Sequence, residues 1–388
     1  MLIVCPPFHL SDMEYLILGI TLGGIYALIA VGYTMVYGII KLINFAHGEI
    51  FMFGAYFAFT LMSNSPPAFA IGATIVVFLS FFIVAYDFLK EKRNVIISLL
   101  ISFFLSAIIA LISYNLFLIP INFFLAVILS MIYSAVLGMS MDILAYRPVR
   151  NAPRLTALIT AIGMSFFLQN LAMIIWEARV RNFPDNAIPA LFKTPIEIDG
   201  KFFSESLRAS MNFWELLKKG HLIRISEHLS IPLLSILIVL TTIVGMILLQ
   251  LIIYKTKLGK SMRACAQDKI TASLMGVDVN KTIALTFMIG SIFAAIGAIL
   301  FVLYSKQLKP TMGYKVGIVA FSAAVLGGIG NIPGAILGGL LMGIAVNMAT
   351  AIPGVGSRWA DGCGYLLMIL VIIFRPTGIL GTKSIDRA

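Results

Sequence analysis

The chain has 388 residues, 60% of them hydrophobic and only 12% charged, with a formal charge of +11 and a mean hydropathy of +1.01. A soluble chain carries about a quarter charged residues to coat its surface, so this composition excludes a string of ordinary soluble domains, and with them disorder, coiled coil, collagen and a disulfide scaffold. Lipid must solvate much of the surface, and the positive charge reads as basic loops at a cytoplasmic membrane face, with membrane lipid and no nucleic acid as the partner.

Met1 to Asp12 hold no Lys or Arg ahead of their apolar residues, so they do not read as an export signal. Leu2-Ile3-Val4-Cys5 lacks the basic segment and long apolar run of a lipoprotein site. An uncharged run of about 18 residues or more marks a membrane crossing. Tyr15 to Ile40 is one such run, and Ile50 to Tyr86 is broken by Asn64-Ser65-Pro66-Pro67 into a short and a longer helix. Val95 to Met141 is too long for one crossing and has Asn115, Pro120 and Asn122 near its middle, which predicts a hairpin. Leu155 to Trp176, Ile231 to Tyr254 and Ile283 to Ser305 give one span each. Val316 to Ser357 is divided by Gly327 to Pro333, and Gly362 to Phe374 closes the series as a short run. None shows the period-2 alternation of an outer-membrane barrel. The expected fold is all-α: one polytopic transmembrane bundle over residues 1–388, with about 10–11 spans.

Orientation follows from the basic residues of the short loops. Lys41, the 90–93 loop, Arg147 to Arg154, Lys255 to Lys281 and the C-terminal tail together hold sixteen, against four in the opposite short loops. The first side is therefore cytoplasmic, and parity puts the N-terminus outside. Residues 177–230, with Trp214, Arg179, Arg181, Asp185, Glu197 and Asp199, read as an extracytoplasmic loop or small external domain. Residues 255–282 read as a basic inner loop.

Gly19, Gly23 and Ala27 recur at four-residue spacing, as do Gly330, Gly334 and Gly338, and Gly339 and Gly343. Small residues so placed let helix backbones approach closely in lipid. Asn44, His47 and Glu49 form the most polar stretch beside the early helices. They serve either to cap backbone groups or to line a polar cavity, and they lack the H-E-x-x-H spacing of a zinc site. Gly259-Lys260-Ser261 lacks the earlier glycine and the strand of a phosphate-binding loop, so no ATP site is expected in this chain. Cys5, Cys265 and Cys363 give neither a metal-ligand spacing nor a disulfide framework, and no metal or cofactor is expected. In the inner loop, Ala264, Ala266, Gln267, Ile270, Leu274 and Met275 suit one short amphipathic helix, stopped at Gly276. Its apolar side suits either a partner's groove or lipid headgroups.

Three classes of function are open on these residues. A proton-coupled carrier is expected to hold Asp, Glu or His at mid-membrane, and the runs 155–176, 231–254, 283–305 and 316–357 contain none. A membrane enzyme lacks paired carboxylates, a nucleophile with its base, or a metal cluster. These absences favour a pore subunit driven from outside the chain over a stand-alone carrier, although a sodium site built from backbone carbonyls escapes the first test. Any solute path through such a bundle needs a few polar groups in an apolar lining, for which Tyr26, Tyr37, Asn44, Gln169 and Asn170 are candidates, with His47 and Glu49 beside them on the substrate path.

Leu22-Gly-Gly-Ile-Tyr-Ala-Leu-Ile-Ala-Val-Gly-Tyr-Thr-Met-Val-Tyr-Gly38 followed by Ile43-Asn-Phe-Ala-His-Gly-Glu-Ile50 strongly resembles the branched-chain amino acid ABC transporter permeases of the LivH type. Ala145-Tyr-Arg-Pro-Val-Arg150, Ala157 to Ser165, Arg263-Ala-Cys-Ala266, Ala324 to Gly330, Ile332-Pro-Gly-Ala335 and Pro376 to Gly381 continue the likeness in order. The resemblance implies an importer of leucine, isoleucine or valine, working by alternating access. Its other parts are a second related permease, two cytoplasmic ATP-binding subunits and an external solute-binding protein. It implies that 263–278 is the coupling loop, with Arg263, Ala264, Ala266, Gln267, Asp268, Met275, Gly276 and Asp278 meeting an ATP-binding subunit. The family also holds urea and short-chain amide permeases. Residues 88–126 depart from its pattern as an apparent hairpin insertion.

Overall fold

Each uncharged run becomes a helix, because in hydrocarbon every backbone N–H and C=O must be paired within its own segment. The computed structural model describes residues 10–63, 65–90, 94–184, 223–226, 229–231, 233–352 and 356–381. In chain order come α1 (Leu10–Ile40), α2 (His47–Met62), α3 (Pro67–Lys90), α4 (Val95–Leu118) and α5 (Phe123–Met141). α5 runs on through a π-helical turn, Asp142–Tyr146, and a last turn, Arg147–Val149. α6 (Arg154–Trp176) and α7 (Leu233–Lys255) precede two short helices, α8 (Lys257–Gln267) and α9 (Lys269–Leu274). α10 (Val279–Ser305), α11 (Met312–Gly327), α12 (Ile332–Ala351) and α13 (Gly356–Phe374) complete the bundle. The strands are slight: β1 (Arg181–Asn182) pairs antiparallel with β4 (Gln307–Leu308), and β2 (Ile223–Ser226) with β3 (Leu229–Ile231).

Among the described residues, eight helices are long and apolar enough to cross a membrane, fewer than the 10–11 spans expected from uncharged runs. α2 and α11 account for part of the difference. At 16 residues each they measure about 24 Å at ~1.5 Å per residue, short of a hydrocarbon core of ~30 Å. α13 begins on a polar turn holding Arg358 and Asp361. The breaks between helices fall at the polar and proline-containing stretches that divide the runs.

α2 is buried from His47 to Met62, packed among α5, α10 and α11. A helix apolar all round belongs inside a bundle, and α2 is the centre of this one. α4, α6 and α7 turn most of their apolar surface outward. α4, within the 88–126 segment, keeps its serines inward: Ser98, Ser102, Ser106 and Ser113 are buried, and Tyr133 donates to Ser113 across to α5. Of residues 177–230, the described part begins with 177–184, where β1 docks on the loop before α11. Asp185, Glu197, Asp199 and Trp214 lie outside the described residues.

The basic loops gather at one end. Arg147 bonds Asp87 at the end of α3, Arg150 bonds Asn280, and Lys269 donates to the carbonyl of Ile40 at the end of α1. α1 begins at the opposite end.

The most extensive helix packing joins α1 to α12. A Cβ on Gly343 would lie 2.2 Å from the Gly23 nitrogen, and one on Gly339 would lie 2.5 Å from the Ala27 Cα. Both neighbours are backbone, which cannot rotate away. Gly343→Ala is therefore expected to cost about 1–3 kcal/mol or more, as overpacking does, seen as a lower melting temperature of the purified chain. Gly163→Ala is the control, because a Cβ there meets nothing within 4 Å and its melting temperature should not fall.

Candidate functional site

The loop 41–46 turns the chain back from α1 into α2, with Lys41 at a positive φ of 61°. It delivers Asn44, His47 and Glu49 to the interior, each at most 2% exposed. No side chain caps the N-terminus of α2, so the capping alternative is not the one this fold uses. Asn44 Oδ1 accepts from the Tyr146 hydroxyl at 2.5 Å. The His47 ring meets Tyr33 edge-on, with centroids 4.8 Å apart, and its Nε2 has no hydrogen-bond partner. Glu49 Oε1 accepts from Ser165 Oγ at 3.0 Å, while Oε2 is buried without a partner. That second oxygen lies against Gly313, where a Cβ would sit 2.4 Å from it.

Beside this cluster is a cavity of about 200 Å³ lined by Tyr33, Phe45, Ile162, Ser165, Phe166, Tyr314, Gly317 and Ile318. Pockets for drug-sized ligands run to about 300–1,000 Å³, so this one suits a single small solute. Its lining is mostly apolar, with three hydroxyls, and the Glu49 carboxylate stands directly behind Ser165. Its mouth lies between α6 and α11, where Phe166 and Tyr314 stack with centroids 6.4 Å apart.

Asn44, His47 and Glu49 come together here, while the other sequence candidates lie elsewhere. Tyr26 is buried on the side of α1 toward Tyr304, Asp361 and Tyr365. Tyr37 is half-buried near the basic end of α1. Gln169 is half-buried, and the Asn170 amide donates to the Phe166 carbonyl of its own helix. The sequence reasoning did not single out Tyr33, Ser165 and Tyr314. Ser165 closes the Ala157 to Ser165 block, which was the one signal pointing to it.

At the basic end, the single amphipathic helix expected is two. Asp268 has extended backbone, φ −154° and ψ 118°, and its carboxylate accepts from the N–H of Ile270. It thus ends α8 and caps α9, because a short acidic side chain competes for the backbone donors at a helix start. The Thr271 hydroxyl and the Ile270 N–H hold this carboxyl below the ordinary aspartate value, so the cap stays charged at neutral pH and is lost only on acidification. Gly276, at φ +83°, ends α9. Its N–H bonds Ser273 and that of Val277 bonds Ala272, the Schellman arrangement that a glycine accommodates.

Ala264 and Ala266 pack against the core, and Gln267 and Asp268 are exposed. Arg263 donates to the Ile253 carbonyl, lies over Tyr254 and lines a second cavity of about 120 Å³ with Thr34, Gly38 and Gly330. Asp278 caps α10 through the N–H of Lys281. Ile270, Leu274 and Met275 stand out from the bundle at 75, 82 and 80% exposure.

A bundle of apolar helices with a small cavity partly open between α6 and α11, and with an apolar helical tip projecting from its basic end, defines a multi-pass membrane permease. The family described as "Branched-chain amino acid transport system / permease component" matches residues 15–372. The chain is 38% identical, over 97% of each chain, to BraD of Pseudomonas aeruginosa, a high-affinity branched-chain amino acid transport system permease protein. It is 36% identical, over 95% of each chain, to the LivH proteins of Escherichia coli and Salmonella typhimurium, which carry the same description. No solved structure matches it. The chain belongs to the branched-chain amino acid transport permease family, and it is a multi-pass inner-membrane protein.

Proposed function

We propose that this chain is the pore-forming permease subunit of an ATP-binding-cassette importer of leucine, isoleucine or valine. The observation that carries the substrate reading is the Glu49–Ser165 pair behind a mostly apolar cavity. A carboxylate oxygen inside the bundle with no donor leaves a desolvation cost of ~1–3 kcal/mol or more standing, and a solute ammonium group supplies the missing donor. Ile162, Phe166 and Ile318 then receive a branched aliphatic side chain. Urea and short amides can donate an N–H to Oε2 but bring no positive charge to meet the carboxylate, and charge-assisted bonds are the stronger ones, so the pair favours an amino acid over them.

The importer is completed by a second related permease, two cytoplasmic ATP-binding subunits and an external binding protein. The apolar tip of α9 docks in an ATP-binding subunit, whose closure drives alternating access. Reconstitution with the cognate subunits and binding protein tests this reading through uptake of labelled leucine, isoleucine, valine, urea and acetamide. Uptake of the three amino acids, dependent on ATP, is the expected result. Preferential uptake of the amides overturns the substrate reading. Accumulation by the lone chain in vesicles under an ion gradient overturns the importer reading.

A further inference from the structure

A line of polar contacts joins the inner loop to the cavity wall, and it passes through the one π-helical turn among the described residues. At the loop end, Arg150 Nη1 donates to Asn280 Oδ1, in the first turn of α10, at 2.9 Å. The other arm of the same guanidinium, Nη2, donates to Asp142 Oδ1 at 2.9 Å. Asp142 is fully buried and opens the π turn, whose wide ring is closed by the N–H of Arg147 on the Asp142 carbonyl. Tyr146 ends that turn, and its hydroxyl holds Asn44. Asn44 precedes Phe45, which lines the cavity. The buried middle of the line is a planar two-armed cation on a buried ion, a π-helical turn of backbone and a buried hydroxyl on an amide, and such charge-assisted pairs tolerate little slack.

The line also has the makings of two states. π turns are single-residue insertions in α-helices, often found at functional sites. Relaxing one to α geometry shifts register by one residue and reorients the side chains beyond it. Asp142 Oδ2 has no hydrogen-bond partner here, and Arg147 Nη2 stands 3.9 Å from it while Nη1 is committed to Asp87 at 2.7 and 2.8 Å. A movement of roughly 1 Å would bring Arg147 to ordinary bonding distance, so the second arrangement has its partner in place.

We propose that Arg150, the Asp142–Tyr146 turn and Asn44 form the linkage that carries motion of the inner loop to the cavity, with Arg150 and Tyr146 as positioning residues. This deepens the importer reading and rests on it. Asn280→Ala cuts the line at its exposed end, and Tyr146→Phe removes only the hydroxyl at its buried end. In the assembled, reconstituted complex both variants should hydrolyse ATP at the parental rate yet move about fivefold less solute per ATP, the low end of ordinary site-to-site coupling. The double variant should be no worse than the poorer single one, because both interrupt one path. Asn280→Ala, at an exposed contact, should melt as the parent does, whereas Tyr146→Phe leaves the buried Asn44 Oδ1 without its donor and should melt somewhat lower.

A parental solute-to-ATP ratio in both single variants overturns the linkage, as do losses that multiply in the double variant or a loss in Asn280→Ala that comes with a lowered melting temperature. If the parent complex carries some solute other than a branched-chain amino acid, the substrate reading fails while this ratio is still measurable with that solute.

Discussion

Glu49→Gln in the assembled importer should reduce uptake about 10- to 100-fold while leaving the complex folded and at least as stable as the parent. Gln fills the same space, and its amide oxygen still accepts from Ser165 Oγ, now 3.0 Å from Glu49 Oε1. What disappears is the negative charge on the oxygen that lies unpaired against Gly313. A hydrogen bond to a charged group contributes about 1.5–3 kcal/mol, and each ~1.4 kcal/mol is tenfold in affinity, which sets the size of the loss. Stability moves the other way because a neutral amide is cheaper to bury than an ion with an unused lone pair.

Two companion variants separate recognition from support. Ser165→Ala should lose less, since it removes a neutral donor and leaves the charge. Gly313→Ala should lose at least as much as Glu49→Gln and, unlike it, melt lower, because its Cβ would sit 2.4 Å from Oε2 and 2.7 Å from the backbone oxygen of Gly48. Solute binding to the detergent-purified complex, measured beside its melting curve, reads both quantities. Unchanged affinity in Glu49→Gln would remove the carboxylate from solute recognition.

The helices were legible because hydrocarbon leaves the backbone one choice. Uncharged runs and their Asn, Pro and Gly interruptions therefore mark α1 to α7 and α10 to α13 closely. The number of full crossings was less legible, since α2 and α11 are as apolar as a span and differ from one only in length and burial. The site was legible in its ionisable members. His47 and Glu49 stand out in an apolar chain, and an ion inside a membrane bundle seldom lacks a role. Ser165 and Tyr33 did not stand out, because one hydroxyl on a long apolar helix looks like any other. Which face of α1 or α6 meets the cavity depends on how the helices are rotated. Depth along a helix decides as well: Tyr26 and Tyr33, about two turns apart, share nearly one face of α1, and only Tyr33 lies at the level of the cavity. In the inner loop, composition gave the apolar residues but not the break at Asp268, which depends on a side chain capturing a backbone donor.

That break decides what the tip of α9 can do, and a paired substitution there should give the largest loss of all. Leu274→Asp with Met275→Asp is expected to abolish uptake and to release the ATP-binding subunits from the purified permease. Both side chains stand about four-fifths exposed, between a capping aspartate and the Gly276 stop, so no contact within the chain is lost and the permease should melt as the parent does. A docked interface buries these side chains, and placing a carboxylate in an apolar pocket without a partner costs several kcal/mol, at least a hundredfold in affinity. Co-purification of the subunits with the permease, followed by uptake in vesicles, measures both effects. Asp268→Ala is the graded companion. Loss of an N-cap costs about 0.5–2 kcal/mol, enough to loosen α9 without changing its apolar face, so it should weaken co-purification and leave residual uptake. A doubly substituted tip that still retains the ATP-binding subunits would show that they dock elsewhere on the basic end. The groove would then have to be sought around Arg263 and the cavity it lines with Gly38 and Gly330.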